Sequence, residues 1–205
     1  MYLESMLSQD LSNKVISWIT AILTYLLRNK MKDVKYLKVG KTVSLRPITD
    51  EDTDLIVKWR NNERIRNNFV YRVEFTRQIH EEWLKTKVYT GQVLQMIICE
   101  NEKNGAPVGS VYFKFNNSEK TEAEYGIFIG EDDAVGKGYG NETALLAVDY
   151  AREIGIKKVI LRAFSYNTAA IKSYEHAGFL KTEDLKGVEC SDGQKSDMIL
   201  MEKIL

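Results

Sequence analysis

Between residues 136 and 140 the chain reads Gly136-Lys137-Gly138-Tyr139-Gly140. Three glycines at every second position stand between an apolar run ending at Ile129 and a helical run opening at Asn141. Glycine lets successive backbone N–H groups turn inward with no Cβ in the way, and a helix N-terminus adds about half a positive charge. The chemistry of such a turn is anion binding, and phosphate is its usual guest. Two nucleotide motifs do not fit. A Walker loop has four residues between its first glycine and its Gly-Lys pair, followed by Ser or Thr. Here five residues separate Gly130 from Gly136, and Gly138 follows Lys137. The dinucleotide fingerprint G-x-G-x-x-G fails as well, because Asn141 or Thr143 falls where its third glycine is needed.

Other side chains are spaced for chemistry. Asn167 and Tyr174 lie seven apart, two helical turns, and so share a helix face. In Glu122-Ala123-Glu124-Tyr125-Gly126-Ile127-Phe128-Ile129, alternation puts Glu122, Glu124, Gly126 and Phe128 on one strand face. Gly126 fits a bulge that would splay two strands. Two cysteines, Cys99 and Cys190, and two histidines, His80 and His176, show no zinc-ligand spacing, so no metal is expected. Cys99 sits in the apolar run Met96-Ile97-Ile98-Cys99 and reads as a core residue. A reduced, cytoplasmic protein is the expectation.

The elements that must position these residues are readable from Val43 onward. Val43 to Arg46 is a strand ended by Pro47, and Thr49-Asp50-Glu51-Asp52 is a capping box. Leu55, Ile56 and Trp59 mark a helix that Asn61-Asn62 breaks. A second helix begins at Phe75-Thr76, with Ile79, Trp83 and Leu84 inward. Three strands follow, Leu94 to Cys99, Val108 to Phe115 and Thr121 to Ile129, joined by Asn104-Gly105 and Asn116-Asn117-Ser118. Short turns of this kind make an antiparallel meander. After the glycine turn comes a helix from Asn141 to about Ile154, with Leu145, Val148 and Ala151 inward. Lys158 to Ala163 is a strand, Asn167 to Ala177 a helix closed by Gly178, and Met198 to Ile204 the last strand.

With motifs and order in place, a resemblance is visible. Val135-Gly136-Lys137-Gly138-Tyr139-Gly140 resembles the Q/R-x-x-G-x-G/A motif of the GNAT (Gcn5-related) N-acetyltransferases. The segment from Asn167 to Phe179 is similar to their second signature, N-x-x-A-x-x-x-Y-x-x-x-G-F, with Ala170 and Tyr174 at its marked positions. The resemblance implies an α/β (α+β) fold with a mixed central sheet of about six to seven strands and flanking helices. It also implies acetyl-CoA as co-substrate and direct transfer to a primary amine in a ternary complex. The CoA contacts it implies are Ile127, Phe128 and Ile129 on the strand, Val135 to Gly140 with Asn141 at the turn, and Asn167, Ala170 and Tyr174 on the later helix. Val135 stands where the family usually has Gln or Arg, which shifts phosphate binding toward Lys137. Tyr174 is the implied acid for the departing thiolate, and Glu124 the implied base.

The Glu124 neighbourhood looks like the branch containing ribosomal-protein alanine and amino-sugar acetyltransferases. Trp59-Arg60-Asn61-Asn62 and His80-x-x-Trp83 are similar to the nucleotide-linked amino-sugar enzymes, which implies an acceptor site around Trp59, Arg60, Asn61, His80 and Trp83. An amino sugar is the favoured acceptor. A protein N-terminus is the alternative, and a non-catalytic CoA-binding module the reading from another class; an intact Tyr174 and Glu124 argue against the last.

The first forty residues have no counterpart in that resemblance and read as an N-terminal helical extension, 1–40, ahead of a domain at 41–205. Leu7, Leu11, Val15, Trp18, Ile22 and Leu26 recur at helical spacing. The apolar stretch from Val15 to Leu27 spans about 20 Å as a helix, short of a hydrocarbon core of about 30 Å, so stable membrane insertion is not expected. The expectation is a helix packed on the domain or on a second copy, the latter making a homodimer, with an interfacial membrane helix as the alternative. The 205 residues carry 29 Lys plus Arg against 29 Asp plus Glu, a balance that gives nucleic acid no electrostatic hold.

Overall fold

A computed structural model of the chain describes residues 35–205. The expected N-terminal helix and its dimer contact lie outside the described residues. Tyr36–Leu205 forms one compact unit.

The chain enters through β1 (Lys38–Val39) and β2 (Val43–Pro47), then α1 (Thr53–Asn61), α2 (Glu63–Arg66) and α3 (Arg77–Trp83). The meander follows as β3 (Val93–Glu100), β4 (Ala106–Phe115) and β5 (Glu122–Ile129). After the glycine turn come α4 (Tyr139–Glu153), β6 (Lys158–Phe164), α5 (Thr168–His176), β7 (Leu180–Glu189) and β8 (Lys195–Ile204). The described strands form one sheet of eight, ordered β1-β2-β3-β4-β5-β6-β8-β7. Every pairing is antiparallel except β5 with β6. The sheet exceeds the six to seven strands expected because β1 and β7 are short on hydrophobic signal. The first has two residues, and the second is exposed along most of its length.

Local chemistry explains the turns. Asn104 and Gly105 both take positive φ, 56° and 74°, the pair that a tight hairpin between β3 and β4 requires. Asp52 accepts from the Thr49 N–H at 2.9 Å, as a capping box should, and Arg46 then grips its carboxylate at 2.6 and 2.8 Å. That guanidinium holds the Asp52 carboxyl below its ordinary range despite burial, which acts the other way.

Alternation along the central strands builds two cores, one per sheet face. Met96, Ile98, Val111, Phe113, Ala123, Tyr125, Val159 and Leu161 face α4 and α5. Ile97 and Cys99 face the opposite way, under Ile56, Trp59 and Ile65 of α1 and α2. Cys99 and Cys190 are both buried and free.

One helix face is corrected. Leu145, expected inward, is 43 % exposed. The buried stripe of α4 is instead Thr143, Ala144, Ala147, Val148 and Ala151. Small side chains at these positions let the helix axis approach the sheet closely, and Leu145 lies about 100° round from Ala144.

Candidate active site

The sheet is continuous except at one place. Parallel pairing of β5 with β6 covers only Glu122↔Lys158, Ala123↔Val159 and Glu124↔Ile160. Beyond it, β5 continues on β4 as far as Ile129, and β6 continues on β8 as far as Phe164. From Tyr125 onward the β5 edge facing β6 has no ladder partner, so a wedge opens in the middle of the sheet. Gly126 does not cause it. It pairs in regular register with Tyr112, with no bulge on that ladder. A Cβ at Gly126 would overlap the Tyr112 phenol, so the position is glycine to let that ring cross the strand. The bulge expected there is therefore replaced by a close approach between side chain and backbone.

The glycine turn stands at the N-terminus of α4. Gly136 and Gly138 have φ of 79° and 82°, and a Cβ built on Gly136, Gly138 or Gly140 meets nothing within 4 Å. No side chain caps the helix at Gly138. Bare amides at a 15-residue helix N-terminus, with open space above them, suit a pyrophosphate group. The nearby carboxylates do not oppose it, because each has a cation. Glu131 pairs with Lys58 at 2.8 Å, Asp132 with Arg64 at 2.7 Å and Asp133 with Lys103 at 2.7 Å. Beneath the turn, the Tyr139 hydroxyl donates to the buried Glu100 at 2.5 Å. That bond lowers the Glu100 pKa and pushes Tyr139 up to about 12. Lys137 stands 3.7 Å from Glu100, while Val135 is half exposed.

The residues of the second motif take definite places. Asn167 caps α5 by accepting from the Ala170 N–H at 3.3 Å, and its amide donates to Asn68 at 3.0 Å. Tyr174 is 8 % exposed, with ring centroids 6.0 Å from Tyr125 and 6.2 Å from Phe179. Burial pushes its phenol well above the ordinary range, so it carries a proton at any physiological pH. Glu124, across the sheet, accepts from Arg162 at 2.7 Å and 3.2 Å on one oxygen only, which leaves Oε2 free of protein donors.

On the Glu124 face, next to Tyr112, lies a cavity of about 330 Å³ between the sheet and α1 and α3. Its walls are aromatic: Phe69, Tyr71, Phe75, Trp83, Tyr112 and Phe128. Arg60, His80 and Gln95 supply its polar groups. Trp83 and Gln95 satisfy each other at 2.8 Å. Burial pushes Tyr112 up to about 12, so its hydroxyl also stays protonated.

Of the five acceptor residues expected, three line this cavity: Arg60, His80 and Trp83. Trp59 and Asn61 do not. Trp59 is fully buried, donates to Glu131 at 2.8 Å and fills the space over Gly130, where a Cβ would overlap its ring. Asn61 accepts from the Phe75 N–H at 2.8 Å and donates to the Phe75 carbonyl at 2.8 Å, fixing the segment before α3. Tyr112, Phe69, Phe75 and Arg162 escaped the sequence reading. Strand register could have found Tyr112, since only its pairing with Gly126 places it in the wedge. Among the described residues no group of three or more metal-ligating side chains is found, and no helix is long and apolar enough to cross a membrane.

Comparison with known proteins fits this geometry. A family model described as an acetyltransferase (GNAT) domain matches residues 42–180. An uncharacterized protein of Methanocaldococcus jannaschii is 31% identical over 149 residues, covering 71% of this chain and 30% of that protein. An uncharacterized N-acetyltransferase of the same organism is 30% identical over 152 residues, 72% of this chain and 65% of that one. The chain thus spans less than two thirds of the length of these curated relatives. Among solved structures, a spermidine N-acetyltransferase from Vibrio cholerae in complex with CoA and spermine superposes with a TM-score of 0.72 at 20% identity. It covers 80% of this chain and 96% of that one, a likeness of fold.

Proposed function

We propose, from the premise that the chain belongs to the GNAT acetyltransferase family, that it moves an acetyl group from acetyl-CoA directly to the primary amine of a small molecule. The observation that carries this is the conjunction of two open features: the uncapped, glycine-turned N-terminus of α4 and the unpaired β5 edge in the wedge. A phosphorylated, extended donor needs both.

Acetyl-CoA supplies the activated acyl group. The amides from Gly136 to Asn141, with Lys137, would hold its pyrophosphate. The β5 edge at Ile127, Phe128 and Ile129, where Arg64 already takes the Ile129 carbonyl at 3.1 Å, would align its arm, with Asn167 and Ala170 flanking it. Glu124 Oε2 would take the proton that the acceptor ammonium must lose, directly or through a water. Tyr174 Oη, kept protonated by burial, would give its proton to the departing thiolate.

The finer reading of an amino-sugar acceptor has less support. Two of the five residues behind it, Trp59 and Asn61, brace the fold instead of facing the cavity.

Calorimetry should show acetyl-CoA binding with Kd between about 1 μM and 1 mM, the usual substrate range. Tyr174→Phe should keep that affinity and lower kcat by about 10²-fold or more, the scale of one proton transfer. Absence of both binding heat and CoA release with any amine would overturn the reading. Unchanged kcat in the variant would remove Tyr174 from its role.

A further inference from the structure

The cavity on the Glu124 face of the sheet holds a charge that no carboxylate among the described residues answers. Arg60 is 7 % exposed, and its guanidinium lies 3.4 Å from the Phe69 ring centroid and 5.1 Å from that of Phe75. Among the described residues its one hydrogen bond goes from Nη2 to the Tyr71 carbonyl at 3.3 Å, Nη1 is buried with no partner, and no carboxylate lines the cavity. Aromatic faces soften the burial of a cation but do not neutralise it. Burial draws the Arg60 pKa down to about 10, which leaves it charged at neutral pH.

A second unpartnered atom stands across Phe75. His80 is buried, its ring 6.2 Å from that of Phe75, and its Nδ1 is 3.1 Å from the Thr53 hydroxyl. Its Nε2 is buried without a partner. Burial draws the His80 pKa down to about 4, so the ring is neutral. If Thr53 donates to Nδ1, the ring proton sits on Nε2, which becomes a donor. Among the described residues, Arg60 and His80, both lining the cavity, thus each keep one buried nitrogen without a partner.

We propose that the acceptor amine also carries a carboxylate, held by the Arg60 guanidinium beside His80, with an apolar or aromatic side chain among Phe69, Phe75 and Trp83. This rests on the acetyl-transfer reading and narrows its substrate class. A planar carboxylate matches the fork of a guanidinium and cancels the buried charge. A polyamine would bring cations to a wall that already holds one. A diphosphate would bring more negative charge than one guanidinium balances. A peptide N-terminus would present an amide in place of the carboxylate.

The test compares matched amines with and without the carboxylate in an acetyl-CoA-dependent CoA-release assay: phenylalanine with phenethylamine, tyrosine with tyramine, leucine with isoamylamine. Glucosamine, a nucleotide-linked amino sugar, spermidine and phenylalanine amide complete the panel. The carboxylate members should exceed their twins in kcat/KM by about 10- to 100-fold, mostly through KM, the scale of a charged hydrogen bond. Arg60→Met should abolish that advantage, with the thermal midpoint and acetyl-CoA binding of the variant reporting on its folding. Arg60→Lys, which keeps the charge and loses the fork, should retain part of it. Preference for any panel member lacking a carboxylate overturns the inference and leaves acetyl transfer standing. Calorimetry with phenylalanine, tyrosine and leucine on the CoA-loaded protein gives an independent readout. Heat lost in Arg60→Met supports the inference, and no heat with all three overturns it whatever the turnover assay shows.

Discussion

At the scale of single residues, the packing of β4 against β5 depends on an absence. The Tyr112 phenol occupies the space where a Gly126 side chain would stand. Gly126→Ala should therefore force the ring aside and lower stability by about 1–3 kcal/mol, the range for overpacking, read as a drop in thermal midpoint. His80 makes a prediction in pH. Its folded-state pKa of about 4 lies below the ordinary 6.5. Above pH 6.5 both folded and unfolded chains hold it neutral, and it contributes no slope. As pH falls from 6.5 to 4, the unfolded chain binds a proton that the folded chain refuses, so stability falls, by at most about 3 kcal/mol. Below pH 4 this loss levels off. Urea midpoints should decline between pH 7 and pH 4.5 in the natural chain and lose that component in His80→Gln. Asp52 acts in a lower window, since its stabilising ionised form is lost only as pH falls below the ordinary 3.8.

At the scale of elements, the N-terminus of α4 carries no side-chain cap among the described residues. Helices commonly begin with a side-chain cap, which is worth about 1 kcal/mol. Asn167 and Thr76 supply one for α5 and α3, but none is present at Gly138. Glycine there serves the left-handed turn instead. Gly138→Ala meets no steric neighbour, yet φ of 82° should cost about 1–2 kcal/mol in strain. The expected result is a lower thermal midpoint together with weaker acetyl-CoA binding by calorimetry. Unchanged binding would separate this turn from the donor site. The acidic loop before α4 has a role at the same scale. Lys58 and Arg64, in α1 and α2, bind Glu131 and Asp132, tying these two helices to the loop that leads into the glycine turn.

At the scale of the whole molecule, Tyr36–Leu205 holds its own cores on both sheet faces. A chain starting at Met31 should therefore melt in one cooperative transition close to that of the full chain. A loss of several degrees would assign residues 1–30 a stabilising role. The sequence by itself determined the element order from Val43, the meander, the glycine turn ahead of α4 and the second motif. Those are encoded locally, in period-2 and period-3.6 patterning, in glycine and asparagine at turns and in residue spacing along one helix. It misplaced Leu145 and gave Gly126 a bulge, because helix stripe and strand register are settled by what packs opposite. It grouped Trp59 with Arg60 and Asn61 because they are adjacent in the chain. Only the tertiary structure decided that Trp59 and Asn61 turn into the scaffold while Arg60 turns into the cavity, since neighbours on a helix point about 100° apart. The pairing of Arg60 with His80 around Phe75 is likewise invisible in one dimension. It arises where α1, α3 and the segment between them close over the sheet, and only that closure strips a guanidinium of water and leaves its Nη1 without a partner among the described residues.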